Sequence, residues 1–206
     1  MRGIAFLVAA MLAAAPLEFA RADEIEVRDV ALRRVEGGMA LDADFAFELT
    51  PRLAEVVANG VPLYFRVEFE LTRSRWYWFD ETAASSRLQL RLSYHALSRQ
   101  YRLSTGALQQ GFPNLEEALD VLKRVRNWLV IERGTRLADA DYDAAVRMRL
   151  DVTLLPKPFQ LSAITSRELN LESPWRRFAF RPSAASALPP APPPAESREP
   201  REAEPK

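Results

Sequence analysis

The stretch LYFRVEFELT, Leu63 to Thr72, decides the fold class. Leu63, Phe65, Val67, Phe69 and Leu71 take every second position, with Tyr64, Arg66, Glu68, Glu70 and Thr72 between them. A strict period of two puts one set on each face of an extended strand, and a strand with one wet face belongs to an antiparallel sheet packed on one side. The alternation runs on into Trp76–Phe79. Without a bulge, Trp76 and Trp78 fall on the charged face while Arg73 and Arg75 fall on the apolar one. One extra residue near Ser74 reverses this and returns the tryptophans to the core.

The same period recurs on both sides of this strand. Ile25 and Val27, then Val30 and Leu32, predict a first strand with an irregularity near Asp29. Gly37-Gly38 turns it into a second, in which Leu41, Ala43, Phe45, Phe47 and Leu49 alternate with mostly acidic neighbours. Thr50-Pro51 opens and Asn59-Gly60 closes a short helix, with a hydroxyl cap, proline at the first helical position and a glycine stop.

Leu88–Tyr94 and Tyr101–Thr105 predict two antiparallel neighbours joined through Ala96–Ser98. Asn114 caps a longer helix with the stripe Leu115, Ala118, Leu119, Leu122, Val125 and Leu129; acids lead it, and Lys123, Arg124 and Arg126 follow. A sixth strand runs from Tyr142 to Leu154 and a last from Trp175 to Phe180. Seven strands and two helices predict a mainly β chain, an antiparallel two-layer, immunoglobulin-like sandwich spanning residues 23–181.

Both ends differ from this body. Arg2, an apolar run from Ile4 to Ala15 and the small-x-small site Ala20-Arg21-Ala22 read as a secretory signal peptide, residues 1–22, cleaved to leave Asp23 first. The apolar run stops at Pro16 and Glu18, short of the roughly 20 residues that span a bilayer. No membrane span is expected after cleavage. From Pro182 to Lys206, eight prolines in 25 residues predict a disordered, proline-rich tail. The chain balances 28 basic against 28 acidic residues, which argues against nucleic acid as a partner. It holds no cysteine, so an exported chain would rest on its core alone.

Few residues carry a chemical signature. His95 is the one histidine, and no nucleophile-elbow pattern surrounds any serine, so it reads as a polar strand residue. Asp139, Asp141 and Asp143 have the spacing that opens a calcium loop, but Ala144 and Leu150 stand where glycine and glutamate are needed. No phosphate loop, zinc motif or cofactor signature is present, and no cofactor or metal is expected. Asp80-Glu81 or Glu68 and Glu70 are the carboxylates available to a glycan hydrolase. Composition itself suggests binding in one place, where arginines flank tryptophans from Arg73 to Glu81. The candidate interaction surface is therefore Arg73, Arg75, Trp76, Tyr77, Trp78, Asp80 and Glu81, with His95, Arg99 and Arg102 from the next hairpin beside it.

Three stretches, WYWFDE (Trp76–Glu81), SYHALSRQYRLS (Ser93–Ser104) and LPKPFQLSAITSRELNL (Leu155–Leu171), resemble those of an exported proteobacterial family known as a domain of unknown function, whose members are labelled proline-rich signal peptide proteins. The resemblance covers about Ile25 to Phe180. Relatives often carry Trp at the second position after "SRE", where this chain has Asn170. The resemblance implies a periplasmic location and an envelope protein as partner, a membrane sensor kinase of the nitrogen-regulation type. The leading expectation is a non-enzymatic binding or interaction module; the alternative is an envelope hydrolase with glycan as its substrate.

Overall fold

The computed structural model describes residues 24–73, 81–160 and 169–185. The elements follow in the order β1 (Glu26–Val35), β2 (Gly38–Ala46), α1 (Pro51–Ala58), β3 (Leu63–Arg73), β4 (Glu81–His95), β5 (Gln100–Thr105) and β6 (Leu108–Phe112). Then come α2 (Leu115–Leu122), β7 (Arg124–Glu132), β8 (Tyr142–Leu150), β9 (Arg176–Phe180) and a final helical turn, α3 (Pro182–Ala185). Two sheets form, one of three strands in the order β1-β2-β7 and one of six in the order β6-β5-β4-β3-β8-β9. All neighbouring strands are antiparallel.

The predicted two-layer sandwich is present, with nine strands among the described residues in place of seven. Leu63, Phe65, Val67, Phe69 and Leu71 of β3 are fully buried, as their period of two requires. Phe65 stacks on Phe47, which follows β2, with ring centroids 5.5 Å apart, so the two layers share one core. The layers also meet at a corner, where the Ile25 N–H donates to the Glu172 carbonyl at 3.1 Å.

Local signals place several elements as expected. The register of β1 on β2 shifts between Val27 and Asp29, the predicted irregularity. Gly38, after the Gly37 turn, has φ 141°, and a Cβ there would stand 2.0 Å from the Ile131 carbonyl oxygen, so only glycine fits. Thr50 caps α1, its Oγ1 accepting from the Leu53 N–H at 3.2 Å. Thr50→Ala is expected to lower the unfolding free energy by about 1 kcal/mol, read as a shift of the urea midpoint at unchanged slope.

Other expectations need correction. The longer predicted helix ends at Leu122, and the rest of its stripe becomes β7. Val125 is buried there as a strand residue, while Leu129 is 41% exposed. Asn127, at φ 53°, breaks the regular pairing of β7, and its N–H is held by the Asp42 carboxylate at 2.7 Å. The same carboxylate accepts two bonds from Arg33 on β1, tying all three strands of the small sheet together. Burial would raise the pKa of Asp42, but these bonds and the Arg33 and Arg126 charges outweigh it and keep the carboxyl below its usual range.

The sixth predicted strand stops at Leu150, and Val152–Leu154 form a 3₁₀ turn started by the Asp151 side chain. The fourth predicted strand starts seven residues earlier than expected, at Glu81. The extra residue that breaks the β3–β4 register is Ala83, between the pairs Leu71–Ala84 and Thr72–Thr82. Ser74, where a bulge was expected, lies outside the described residues, as do Trp76–Phe79 and the predicted signal peptide. The tail was expected to begin at Pro182, but Pro182–Ala185 form a helical turn, with the Pro182 carbonyl accepting from Arg34. Its remainder lies outside the described residues.

Candidate functional site

Strand β3 lies between β4 and β8, so its polar residues meet those of both neighbours on the outer face of the large sheet. Register places Arg66 beside Gln89 and Arg149, Glu68 beside Arg87 and Arg147, and Glu70 beside Ser85 and Ala145. Tyr64 pairs with Arg91, and Arg102 and Arg177 lie farther out on the same face. Seven arginines thus share one side of one sheet.

Glu68 is the anchor of this face. Its side chain is 9% exposed, and it accepts from Arg147 Nε at 2.6 Å and Arg149 Nη2 at 3.2 Å, with Arg87 Nε at 4.0 Å. Burial alone would raise its pKa. The hydrogen bonds and charges of Arg147 and Arg149 outweigh that and hold the carboxyl below the usual glutamate range. Nearby, Arg66 pairs with buried Asp151. Arg147 stacks its guanidinium 4.4 Å over the Trp175 ring, and Arg91 lies 5.9 Å over Tyr64. Each contact costs a flexible side chain some of its freedom, so Arg66, Arg91, Arg147 and Arg149 are set in place before any partner arrives.

The described residues among those singled out from sequence fall at two separate places. Arg73 pairs with Glu81 at one end of β4, whereas His95 closes the other end, about 45 Å of strand away. The hairpin carrying His95, Arg99 and Arg102 therefore does not lie beside Arg73 and Glu81. His95 is engaged locally, its Nδ1 2.9 Å from Ser98 Oγ and accepting from the Ser98 N–H at 3.3 Å. Arg99 turns the chain at φ 51° and is exposed. Arg102 joins the arginine face, and His95, two residues beyond its partner Ser93 on β4, is on the same side at the end of the strand. Arg75, Trp76, Tyr77, Trp78 and Asp80 lie outside the described residues.

The other carboxylates singled out are accounted for in part. A general acid of a hydrolase needs a raised pKa, and the bonds and charges of Arg147 and Arg149 shift Glu68 in the opposite direction. Asp141 accepts a fork from Arg181 at 2.6 and 2.8 Å, and those bonds keep its pKa low. Among the described residues, no group of three or more potential metal ligands is found. No helix among them is long and apolar enough to cross a membrane.

A cleft of about 850 Å³ is lined by the start of β1, the end of β2, Lys123 and the residues that enter β9. Buried Ile25 and Phe47 lie at its base, Trp175 on one side, and Glu26 and Glu48 are exposed along it. The Lys123 ammonium sits 5.5 Å over the Phe47 ring. Its volume is in the range of small-ligand pockets, but its charged groups are balanced in sign.

A family model described as "Domain of unknown function (DUF4390)" matches residues 22–179. The chain belongs to that family. No curated protein and no solved structure matches it. The DUF4390 match spans both sheets, the outer arginines and the cleft, so it takes in every part of the candidate surface. Reading single strands did not reveal the arginine face. The signal was there in the polar positions of three strands, Arg66 to Glu70, Arg87 to Arg91 and Arg147 to Arg149.

Proposed function

We propose that the chain is an exported periplasmic protein with a proline-rich tail that acts without catalysis, as a binding or interaction module accessory to an inner-membrane sensor kinase. The outer face of the large sheet carries the reading: a broad face with arginines fixed by stacking and ion pairs suits recognition of a partner more than turnover of a substrate. Export rests on the basic, apolar and small-x-small pattern of the first 22 residues, and the envelope partner on the family resemblance.

Crosslinking in intact cells, followed by mass spectrometry of the captured complexes, tests both parts. The expected result is a mature chain beginning at Asp23, joined to an envelope protein. A captured chain that retains Met1 would remove the export reading. Capture of glycan fragments in place of protein would favour the hydrolase.

A further inference from the structure

We propose that the outer face of the large sheet docks an extended acidic segment of a partner protein, an assignment that rests on the reading of the chain as an interaction module. The chain as a whole is neutral, but this face is not. Among the described residues, Arg66, Arg87, Arg91, Arg102, Arg147, Arg149 and Arg177 share it with Glu68, Glu70, Asp143, Asp151 and Glu172, which bridges to Arg149. The excess is positive, and it is unevenly compensated. Arg66 is committed to Asp151, while Arg147 and Arg149 divide the single carboxylate of Glu68. Arg91, Arg102 and Arg177 have no carboxylate partner among the described residues.

Geometry selects the form of the partner. Side chains on one face of a strand recur every ~6.8 Å, and neighbouring strands lie ~4.8 Å apart, so the guanidiniums form a grid. A partner chain in extended conformation presents alternate carboxylates at that same ~6.8 Å repeat, and each can accept a forked pair of N–H bonds from an arginine. Glu68 keeps Arg147 and Arg149 from collapsing or wandering, which lowers the entropy lost on docking.

A protein segment is favoured over an anionic lipid surface. Membrane-surface binding adds apolar side chains to the basic ones. Among the described residues, the most exposed large apolar ones, Leu97 and Leu108, at 94% and 79% exposure, lie by the β4–β5 and β5–β6 turns, at opposite ends of the hairpins. The aromatic groups of the face, Tyr64 and Trp175, are each covered by an arginine.

The test uses the full mature chain and a fluorescent twelve-residue peptide of alternating Glu and Ser, with its Gln-Ser counterpart as the neutral probe. Anisotropy should report binding of the Glu-Ser peptide that weakens at least tenfold between about 50 and 300 mM salt. The triple variant Arg87→Gln, Arg91→Gln, Arg177→Gln, whose side chains are exposed and make no short hydrogen bond, should lose at least tenfold in affinity with an unchanged melting temperature. A control, Arg124→Gln with Arg133→Gln, alters exposed arginines away from this face and should leave affinity unchanged.

Equal binding of the Gln-Ser peptide, an equal loss in the control, or no binding at all would overturn the proposal. Binding only to phosphatidylglycerol vesicles would overturn it in favour of a lipid surface. Acidic-peptide binding that fails in the triple variant, in a chain that crosslinks to no envelope protein, would retain this surface and remove the module's assigned partner. The reverse pattern would retain the partner and move the surface elsewhere.

Discussion

Phe65→Ala is expected to lower the unfolding free energy by about 3–5 kcal/mol. Phe65 is fully buried on β3, which is flanked by β4 and β8, and it stacks on Phe47, so truncation opens a hole where the two layers meet. Strands on both sides fix the backbone at this point, Phe65 being opposite Leu90 and Leu150, and a backbone held on two sides cannot collapse into the space. Urea denaturation followed by fluorescence and circular dichroism measures the loss. A change below about 1 kcal/mol would mean that the layers are not packed through this face.

The residues that made this core legible are those whose burial depends only on their own strand. Leu63 to Leu71 alternate because a pleated strand with one dry side demands it, and no knowledge of neighbours is needed. Thr50-Pro51 and Asn59-Gly60 bound α1 for equally local reasons, a cap and a stop. Strand β7 was not legible. Leu115, Leu119, Leu122, Val125 and Leu129 fit a helical period throughout, but past Lys123 pairing with β2 and the bulge at Asn127 override it. The start of β4 was hidden too, since Thr82 to Ser86 are small or polar and are held extended by their pairing with β3. β6 is the exposed edge of its sheet, and with only Phe112 buried it shows no alternation.

The site was less legible than the fold because it is a property of strand order. Arg147 and Arg149 are about eighty residues from Glu68 in sequence, and only the insertion of β3 between β4 and β8 puts the three together. Conversely, Glu81 and the hairpin that follows His95 are near neighbours in sequence, but a strand of 15 residues holds them apart. Closeness along an extended chain means separation in space.

Glu68→Ala is expected to destabilise the chain by about 2–4 kcal/mol at pH 7. Breaking a buried ion pair by deleting one partner costs about 3–5 kcal/mol, and the figure is reduced here because the Arg147 and Arg149 side chains keep a quarter to a third of their surface in water. The cause is chiefly what remains: two guanidiniums close together, with the buried counter-charge gone. The effect should also depend on pH. A carboxyl whose folded pKa lies below its unfolded value contributes stability that is fully present above the unfolded value, near 4.3 for glutamate, and lost as pH falls through the folded one. Asp42 and Asp141, also held low, lose stability in the same direction, so the wild type alone cannot isolate Glu68. The difference between wild type and Glu68→Ala can, because those groups are common to both. Urea titrations at steps from pH 7 to pH 3 should show that difference constant down to about pH 5 and shrinking below it. A difference that stays constant to pH 3, or one under about 0.5 kcal/mol at pH 7, would mean that Glu68 is not what holds the arginine face in place.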